Sequence, residues 1–344
     1  MIRFPAEWEP QAAVVIAWPH ASGDFTNLPE VEDAYHFIST AISRYQPLIV
    51  LCKDEAHQSR ISAQLTENQN IYFIQAEYND IWVRDTLFLS LAWEHPKVNT
   101  QLLNFRFNGW GGKYPHAADN ELNLSLFAHP IFHGIPNASV DFVLEGGSLE
   151  SDGQGTLLTT KNCLLHPNRN PHHSEAAIES QLKAYLGANR ILWIEQDKLA
   201  GDDTDAHIDT LARFVDHATI AYSSCENPAD PHYAGLKNME AQLQALRQEN
   251  GLAYRLIPLP LPEPIYDESG QQLPANYANF LIINGTVLVP VYDDPMDAVT
   301  LNRLQEVFPN REIIAAPCRP LVHQYGSLHC ASMQIPAFVP LNLS

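Results

Sequence analysis

The strongest constraint on how this chain folds is a repeat. The stretches "LEGGSLESDGQGTLLTT", "LARFVDHATIAYS" and "NYANFLIINGTVLVPVY" share one grammar: strand, tight turn, strand. Their turns fall at Asp152-Gly153, at Asp216 and at Asn284-Gly285, the last being the strongest short hairpin signal of the three. Counted from Gly153 through Asp216 to Asn284, the turns stand 63 and 68 residues apart. After each hairpin the apolar residues take up helical spacing: Ile178, Leu182 and Leu186; then Leu236, Met239, Leu243 and Leu246; then Leu301, Leu304 and Phe308. Gly187 and Gly251 stand where the ends of the first two helices want a left-handed residue. Each helix hands over to a short apolar strand, "ILWIEQ", "YRLIPLP" or "REIIAAP". The unit is therefore strand, strand, helix, strand.

Upstream the rhythm is looser but the parts recur: "AAVVIAWP", a helix around 29–45, "PLIVLC", a helix around 54–67, "IYFIQA" and "IWVRDTLFLSLAW". A chain of 344 residues has room for about five such units, and strand-rich repeats of this kind close around an axis. No Pro/Ser/Gly linker interrupts it, so one domain is expected over 1–344. The prolines are scattered through turns, and "LIPLPLPEP" reads as a surface loop.

Composition then narrows the function. A formal net charge of −20 argues against nucleic acid, whose phosphates are held by Lys and Arg, and suits a small cationic substrate. The start "MIRFPAEWEP" has no basic stretch leading into an apolar run, and no uncharged apolar run is long enough for a membrane helix. Five cysteines without a C-x-x-C pair argue against a disulfide framework and a thiolate zinc site, and point to a reducing cytoplasm. Cys52 and Cys163, beside apolar runs, read as core.

The unusual polar residues sit at a common phase, at or just before the entry to a strand or hairpin: Asp85 in "DIWVRDTLFL", Glu145 in "VLEGGS", His207 and Asp209 in "DDTDAHIDTLARF", and Cys330 in "SLHCASM". If the units share an axis, these residues line one central cavity. His207 and Asp209, two apart in an extended stretch, project to one face. Trp82 reads as core or as a wall of that cavity. The glycines around Trp110 in "NGWGGKY" leave a lid and a plain turn both open.

These residues, with "FPAEWEPQAAVVIAWP", "NDIWVRDT", "NRNP", "ANFLIINGTVLVPVYDD" and "LHC", resemble in order the agmatine deiminases of the bacterial peptidyl-arginine deiminase-like family, guanidine-modifying enzymes of pentein fold. The resemblance runs from about residue 4 to 336. It implies an α/β five-bladed propeller of ββαβ-type repeats around a central active site. It also implies no cofactor and no metal, agmatine as a small guanidino substrate in polyamine metabolism, and allows a homodimer. Carried over by position, Cys330 is the nucleophile, His207 the acid and base, Asp85 and Asp209 the carboxylates that grip a guanidinium, and Glu145 the partner of the imidazolium. Trp82 and Trp110 would contact substrate, and Asp202, Asp203 or Asp205 would answer its ammonium tail. One departure stands out: "YGSLHCASMQ" replaces the usual glycine-rich run before the cysteine. That leaves arginine and peptidyl-arginine as rival substrates, and a non-catalytic polyamine binder as a rival class. Asn168 and Arg169 match the family and read equally well as turn structure.

Overall fold

The structure is a computed structural model that describes residues 2–65, 70–95 and 98–343, without the side chains of 94, 95 and 98. It is a mixed α/β fold in which five larger sheets repeat one pairing rule. Ala212–Asp216 pairs antiparallel with Thr219–Ser224, which pairs in parallel with Arg255–Pro260. Glu150–Ser151, Thr156–Thr160 and Arg190–Ile194 do the same, as do Leu281–Ile283, Thr286–Val291 and Glu312–Pro317. Upstream, Leu89–His95, Val98–Arg106 and Asn137–Val143 follow the rule. The fifth sheet uses both ends of the chain. Ser332–Pro336 lies antiparallel to Gln11–Ala17, which continues in parallel to Leu48–Cys52 and Ile71–Gln75.

The three predicted hairpins turn where the sequence places them. At Asn284-Gly285 the glycine takes φ +75°, the left-handed value such a turn needs. The helices Glu175–Leu186, Tyr233–Ala245 and Pro295–Val307 bury Ile178, Leu182 and Leu186, then Leu236, Met239 and Leu243, then Leu304, as their spacing requires. Gly187 closes the first with φ +66°. Gly251 does not close the second: that helix ends at Ala245, and Gly251 completes a separate turn back to Gln248. The helices around 29–45 and 54–67 are Leu28–Ser43 and Glu55–Gln64; residues 66 and 67 lie outside the described residues.

Two expectations fail for local reasons. "LIPLPLPEP" is not all loop, because Leu256–Pro260 belong to the strand Arg255–Pro260, where prolines sit at the sheet's outer strand and forgo a donor there. In "IWVRDTLFLSLAW" the strand begins only at Leu89. Val83–Thr86 form a single helical turn, which is what aims Asp85 inward. Three apolar clusters pack the sheets against the helices, with Cys52 and Cys163 buried among them as expected. No helix among the described residues is long and apolar enough to cross a membrane.

Candidate active site

The five sheets bring five short segments together. Each segment stands just ahead of the first strand of its sheet: Asp85 before Leu89, Glu145 to Gly147 before Glu150, His207 and Asp209 before Ala212, Asn279 before Leu281, and Cys330 before Ser332. The common phase read from the sequence thus has a fifth member, Asn279 in "NYANFLII", that the chemistry-bearing residue types alone do not flag.

Gly147 marks the centre. A methyl group on its Cα would lie 2.7 Å from Asp85 Oδ1, 2.8 Å from His207 Nδ1 and 3.0 Å from Asp209 Oδ2. Three groups from two neighbouring segments therefore meet over a residue of a third segment that has no side chain. Asp85 accepts the Gly147 N–H at 2.9 Å and the Trp110 indole N–H at 2.9 Å, and lies 3.6 Å from His207 Nδ1. His207 and Asp209 are not extended as the sequence suggests. His207 precedes a 3-10 turn over Ile208–Thr210, and the tighter backbone keeps the two side chains on one site. Asp209 Oδ2 accepts from His329 Nδ1 at 2.8 Å, while its Oδ1 is buried with no hydrogen-bond partner among the described residues. Cys330 Sγ lies 3.7 Å from Asp209 Oδ2 and 3.3 Å from Asn279 Nδ2.

Burial and charge set the protonation states. Burial, the largest single influence, opposes a charge on His207, but Asp85, Cys163 and Glu145 together outweigh it and hold the imidazole well above its ordinary range. Burial pushes the Asp85 carboxyl up to about 6, with His207 pulling the other way. For Asp209 burial is the largest single influence and raises the carboxyl, but His329, His207 and Arg213 together overcome it and keep the group below its usual range. Burial, then Asp209 and Asp85, push the Cys330 thiol well up. The described geometry favours imidazolium at His207 and thiol at Cys330.

Glu145 is fully buried, and both its oxygens accept from Arg169 Nε, at 2.9 and 3.0 Å. It stands in one group with His207 and Cys163, their donor atoms within 4.8 Å of one another, but it makes no hydrogen bond to the imidazole. Arg169, half a turn residue to the eye in "NRNP", is the buried cation of this corner, and also binds Asp205 at 2.8 Å. A second buried network was not legible either. His329 Nε2 meets Glu7 at 2.6 Å, Glu7 meets Arg213 at 2.9 Å, and Arg213 pairs with Glu150. His329 and Glu7 gave no signal beyond standing beside Cys330 and in "AEWEP".

Outward from Cys330 runs a cleft lined by Asp80, Trp82, Asp85, Trp110, Tyr114, Asp203, Thr204, Gln324, Tyr325 and Gly326. No Lys or Arg is among these residues. Gly326 packs so tightly on Trp82 that a methyl there would fall 2.4 Å from the ring, so the glycine lets the tryptophan stand as a wall. "NGWGGKY" forms a turn at Gly109–Gly112 in which Trp110 itself has φ +53°. Asp205, Ala206 and Tyr325 share that left-handed backbone around the site, which for residues with side chains costs energy and is held by their surroundings. Of the acidic tail candidates, Asp203 faces the cleft and accepts from Tyr114 at 2.6 Å. Asp202 is spent on its own turn, capping Thr204 and Ala206, and Asp205 is paired with Arg169 and Lys113. Asp80, which the sequence reading passed over, sits in the cleft instead.

Comparison with known proteins agrees along nearly the whole chain. The family model of the Porphyromonas-type peptidyl-arginine deiminases matches residues 3–336. The agmatine deiminase of Pseudomonas aeruginosa (strain LESB58) is 32% identical, over 97% of this chain and 95% of that protein. A Porphyromonas gingivalis structure described as a candidate arginine deiminase is 47% identical with a TM-score of 0.92, covering 98% of this chain and 99% of that one. A cysteine-to-serine variant of the C. jejuni agmatine deiminase, solved with substrate bound, is 34% identical with a TM-score of 0.90, covering 97% of this chain and 96% of that one.

Proposed function

The chain belongs to the Porphyromonas-type peptidyl-arginine deiminase family, and on that premise we propose that it is an agmatine deiminase, hydrolysing agmatine to N-carbamoylputrescine and ammonia with Cys330 as nucleophile. The observation that carries the reading is the convergence of Asp85, His207 and Asp209 at Gly147 beside the Cys330 sulfur. Guanidinium is a planar cation with N–H donors in a fixed fork, and carboxylates on either side can each take a pair. Asp209 Oδ1, buried with no hydrogen-bond partner among the described residues, is one acceptor in waiting.

The reaction then follows from the protonation states. A guanidinium between Asp85 and Asp209 adds a positive charge beside Cys330 and favours its thiolate. The sulfur forms a bond to the guanidinium carbon. His207 gives its proton to the departing nitrogen, and the C–N bond breaks with release of ammonia. The planar amidino-cysteine remains. His207, now neutral, takes a proton from water, and the resulting hydroxide adds to the same carbon. The C–S bond breaks, restoring the thiolate, and the added hydroxyl gives up its proton to solvent, leaving a neutral ureido group. Glu145, held in place by Arg169, adds its negative charge to that of Asp85 in favouring the imidazolium and makes no hydrogen bond to the ring.

The choice of agmatine over arginine rests on the cleft. Asp80 and Asp203 face it and no basic side chain among its lining residues could meet an α-carboxylate, so the far end suits an ammonium. Trp82 and Trp110 wall the aliphatic middle. The same reading extends to the architecture: one catalytic domain in which the five sheets are blades of an α/β propeller, with the site on its axis. The equal pairing rule and the meeting of the five pre-strand segments support it.

Incubation with agmatine, arginine and a blocked arginine peptide, with ammonia and ureido product measured, tests the function. Agmatine is expected to turn over fastest by at least tenfold in kcat/KM. Turnover of the peptide alone would replace the substrate. Cys330→Ala is expected to lose turnover and to form no covalent adduct; an active Cys330→Ala protein would sink the mechanism.

A further inference from the structure

Among the described residues the Asp209 carboxylate makes hydrogen-bond contacts through one oxygen only. Its Oδ2 faces His329 Nδ1 at 2.8 Å, Asn279 Nδ2 at 3.4 Å and Cys330 Sγ at 3.7 Å, while Oδ1 is buried and has no such partner. The His329 ring, itself buried, carries on to a second acid: its Nε2 meets Glu7 Oε2 at 2.6 Å. Glu7 is fixed in turn by Arg213 at 2.9 Å and by the Ile282 N–H at 2.7 Å, and Arg84 stands 3.7 Å from it. Both nitrogens of one ring therefore face carboxylate oxygens. A neutral imidazole offers one N–H and one lone pair, so two contacts this short need a second hydrogen in the Glu7–His329–Asp209 string. Without it a lone pair would stand against a carboxylate. Burial, then Arg213 and Arg84, push the ring below its ordinary range, against the pull of Glu7 and Asp209. The second hydrogen is thus kept by the two contacts in surroundings that favour its loss, whereas the one on His207 is held firmly, well above the ordinary range.

We propose that His329 is a positioning residue: held as an imidazolium between Glu7 and Asp209, it binds Asp209 Oδ2 and leaves Oδ1 free for the guanidinium. The inference rests on the reading of Asp209 as a carboxylate that grips the substrate, and His329 acts only through it. One ring has two effects. Its N–H fixes the plane of the carboxylate, on which acceptance of a guanidinium fork depends, and its charge helps keep the buried Asp209 ionised. Glu7, remote in sequence, keeps the ring charged and in place. As the pH rises and the second hydrogen leaves, one of the two contacts fails and the grip on the guanidinium loosens. Activity is therefore expected to fall on the alkaline side as this string titrates, before His207 gives up its own proton. Glu7 and His329 line a small pocket that shares no lining residue with the substrate cleft, so a substrate in the cleft does not cover them.

The test is the pH profile of kcat/KM for agmatine in the wild type, Glu7→Gln and His329→Asn. A glutamine amide accepts from a charged ring and donates to a neutral one, so Glu7→Gln keeps both contacts in either state. Its alkaline limb is expected to move up by about one pH unit or more, toward the limit set by His207. His329→Asn is expected to lose about a hundredfold in kcat/KM at every pH. A residue that only packs the corner would lower the melting temperature without moving the limb. An unmoved limb in Glu7→Gln, or a His329→Asn protein within twofold of wild type, overturns the proposal. Should the variants not fold, NMR of the wild type decides. His329-Cys330 is the only His-Cys dipeptide in the chain, so 13C-histidine with 15N-cysteine labelling singles out His329, and 15N-histidine labelling then reads its ring. Both ring nitrogens are expected to carry hydrogen at the pH of maximal activity and to titrate along the alkaline limb; a bare nitrogen throughout the active range overturns the proposal. A wild type that turned over no guanidine would sink the proposed function first, whereas an active wild type with an unmoved limb in Glu7→Gln would sink this inference alone.

Discussion

Gly147 shows how little tolerance the site has at the level of single atoms. Its backbone φ is ordinary, so conformation does not demand a glycine there; space does, because Asp85, His207 and Asp209 each crowd the place of a side chain within 3.0 Å. Gly147→Ala is expected to cost about a hundredfold or more in kcat/KM, because displacing either carboxylate misaligns the guanidinium, while stability drops by about 1–3 kcal/mol from overpacking. Steady-state kinetics with a melting curve separates the two, and near-wild-type turnover would show that the carboxylates do not work at that point. Asp80 carries a different kind of test. Burial pushes its carboxyl up to about 7, against the Ile81 N–H that it accepts, and Asp119, Asp24 and Asp203 add to the rise. Below that pH Asp80 is protonated and neutral; above it the carboxylate is free to meet an ammonium. The KM for agmatine is therefore expected to fall as pH rises through about 7 in the wild type, and the step is expected to vanish in Asp80→Asn. A guanidine without an amino tail, butylguanidine for instance, is expected to show no such step. Identical KM profiles for the two proteins would remove Asp80 from the tail subsite.

Elements were legible in the sequence in proportion to how local their causes are. The turn at Asn284-Gly285 is fixed by two adjacent residues, and the helix Glu175–Leu186 by apolar spacing within twelve residues and a terminal glycine. Both were read correctly. Gly285→Ala tests this locality: a side chain at φ +75° that also meets Tyr45 at 3.2 Å is expected to cost about 1–2 kcal/mol, lowering the melting temperature by a few degrees with kcat/KM unchanged. A loss of activity at constant stability would mean that the hairpin tip is coupled to the site. The Arg213 cage has no such local cause. Its guanidinium joins Glu150 and Glu7, 63 and 206 residues away, and the carbonyls of Ala278 and Phe280, and no periodicity reports a buried ion pair before the sheets are assembled. His329 was missed for the same reason, and Arg169, left open between a family match and a turn residue, could not be read as a buried ion-pair partner. Cys330, His207, Asp85 and Asp209, proposed as nucleophile, acid and carboxylates, were legible because they share a phase in a repeat and match a family pattern, and Asn279 shared that phase unnoticed because an amide has no titration to advertise it.

At the scale of the whole molecule the sequence carries a formal net charge of −20 and gathers Asp80, Asp85 and Asp203 in a cleft whose lining holds no Lys or Arg. A field of one sign above a cleft of the same sign concentrates cations and raises their rate of encounter. Agmatine carries two positive charges, so the field acts on it twice. Added salt shortens the range of this attraction to about 8 Å at physiological ionic strength and about 3 Å at 1 M, while pairs already enclosed, such as Asp209 with His329, are screened far less. The kcat/KM for agmatine is therefore expected to fall several-fold on going from low to high salt, with kcat nearly constant. Butylguanidine, with one charge, is expected to give about half the slope in a plot against the square root of ionic strength. The comparison distinguishes steering from a general salt effect on the protein, since the latter would move both substrates and kcat together. Equal slopes for the two substrates would show that the acidic surface serves solubility alone and takes no part in capture.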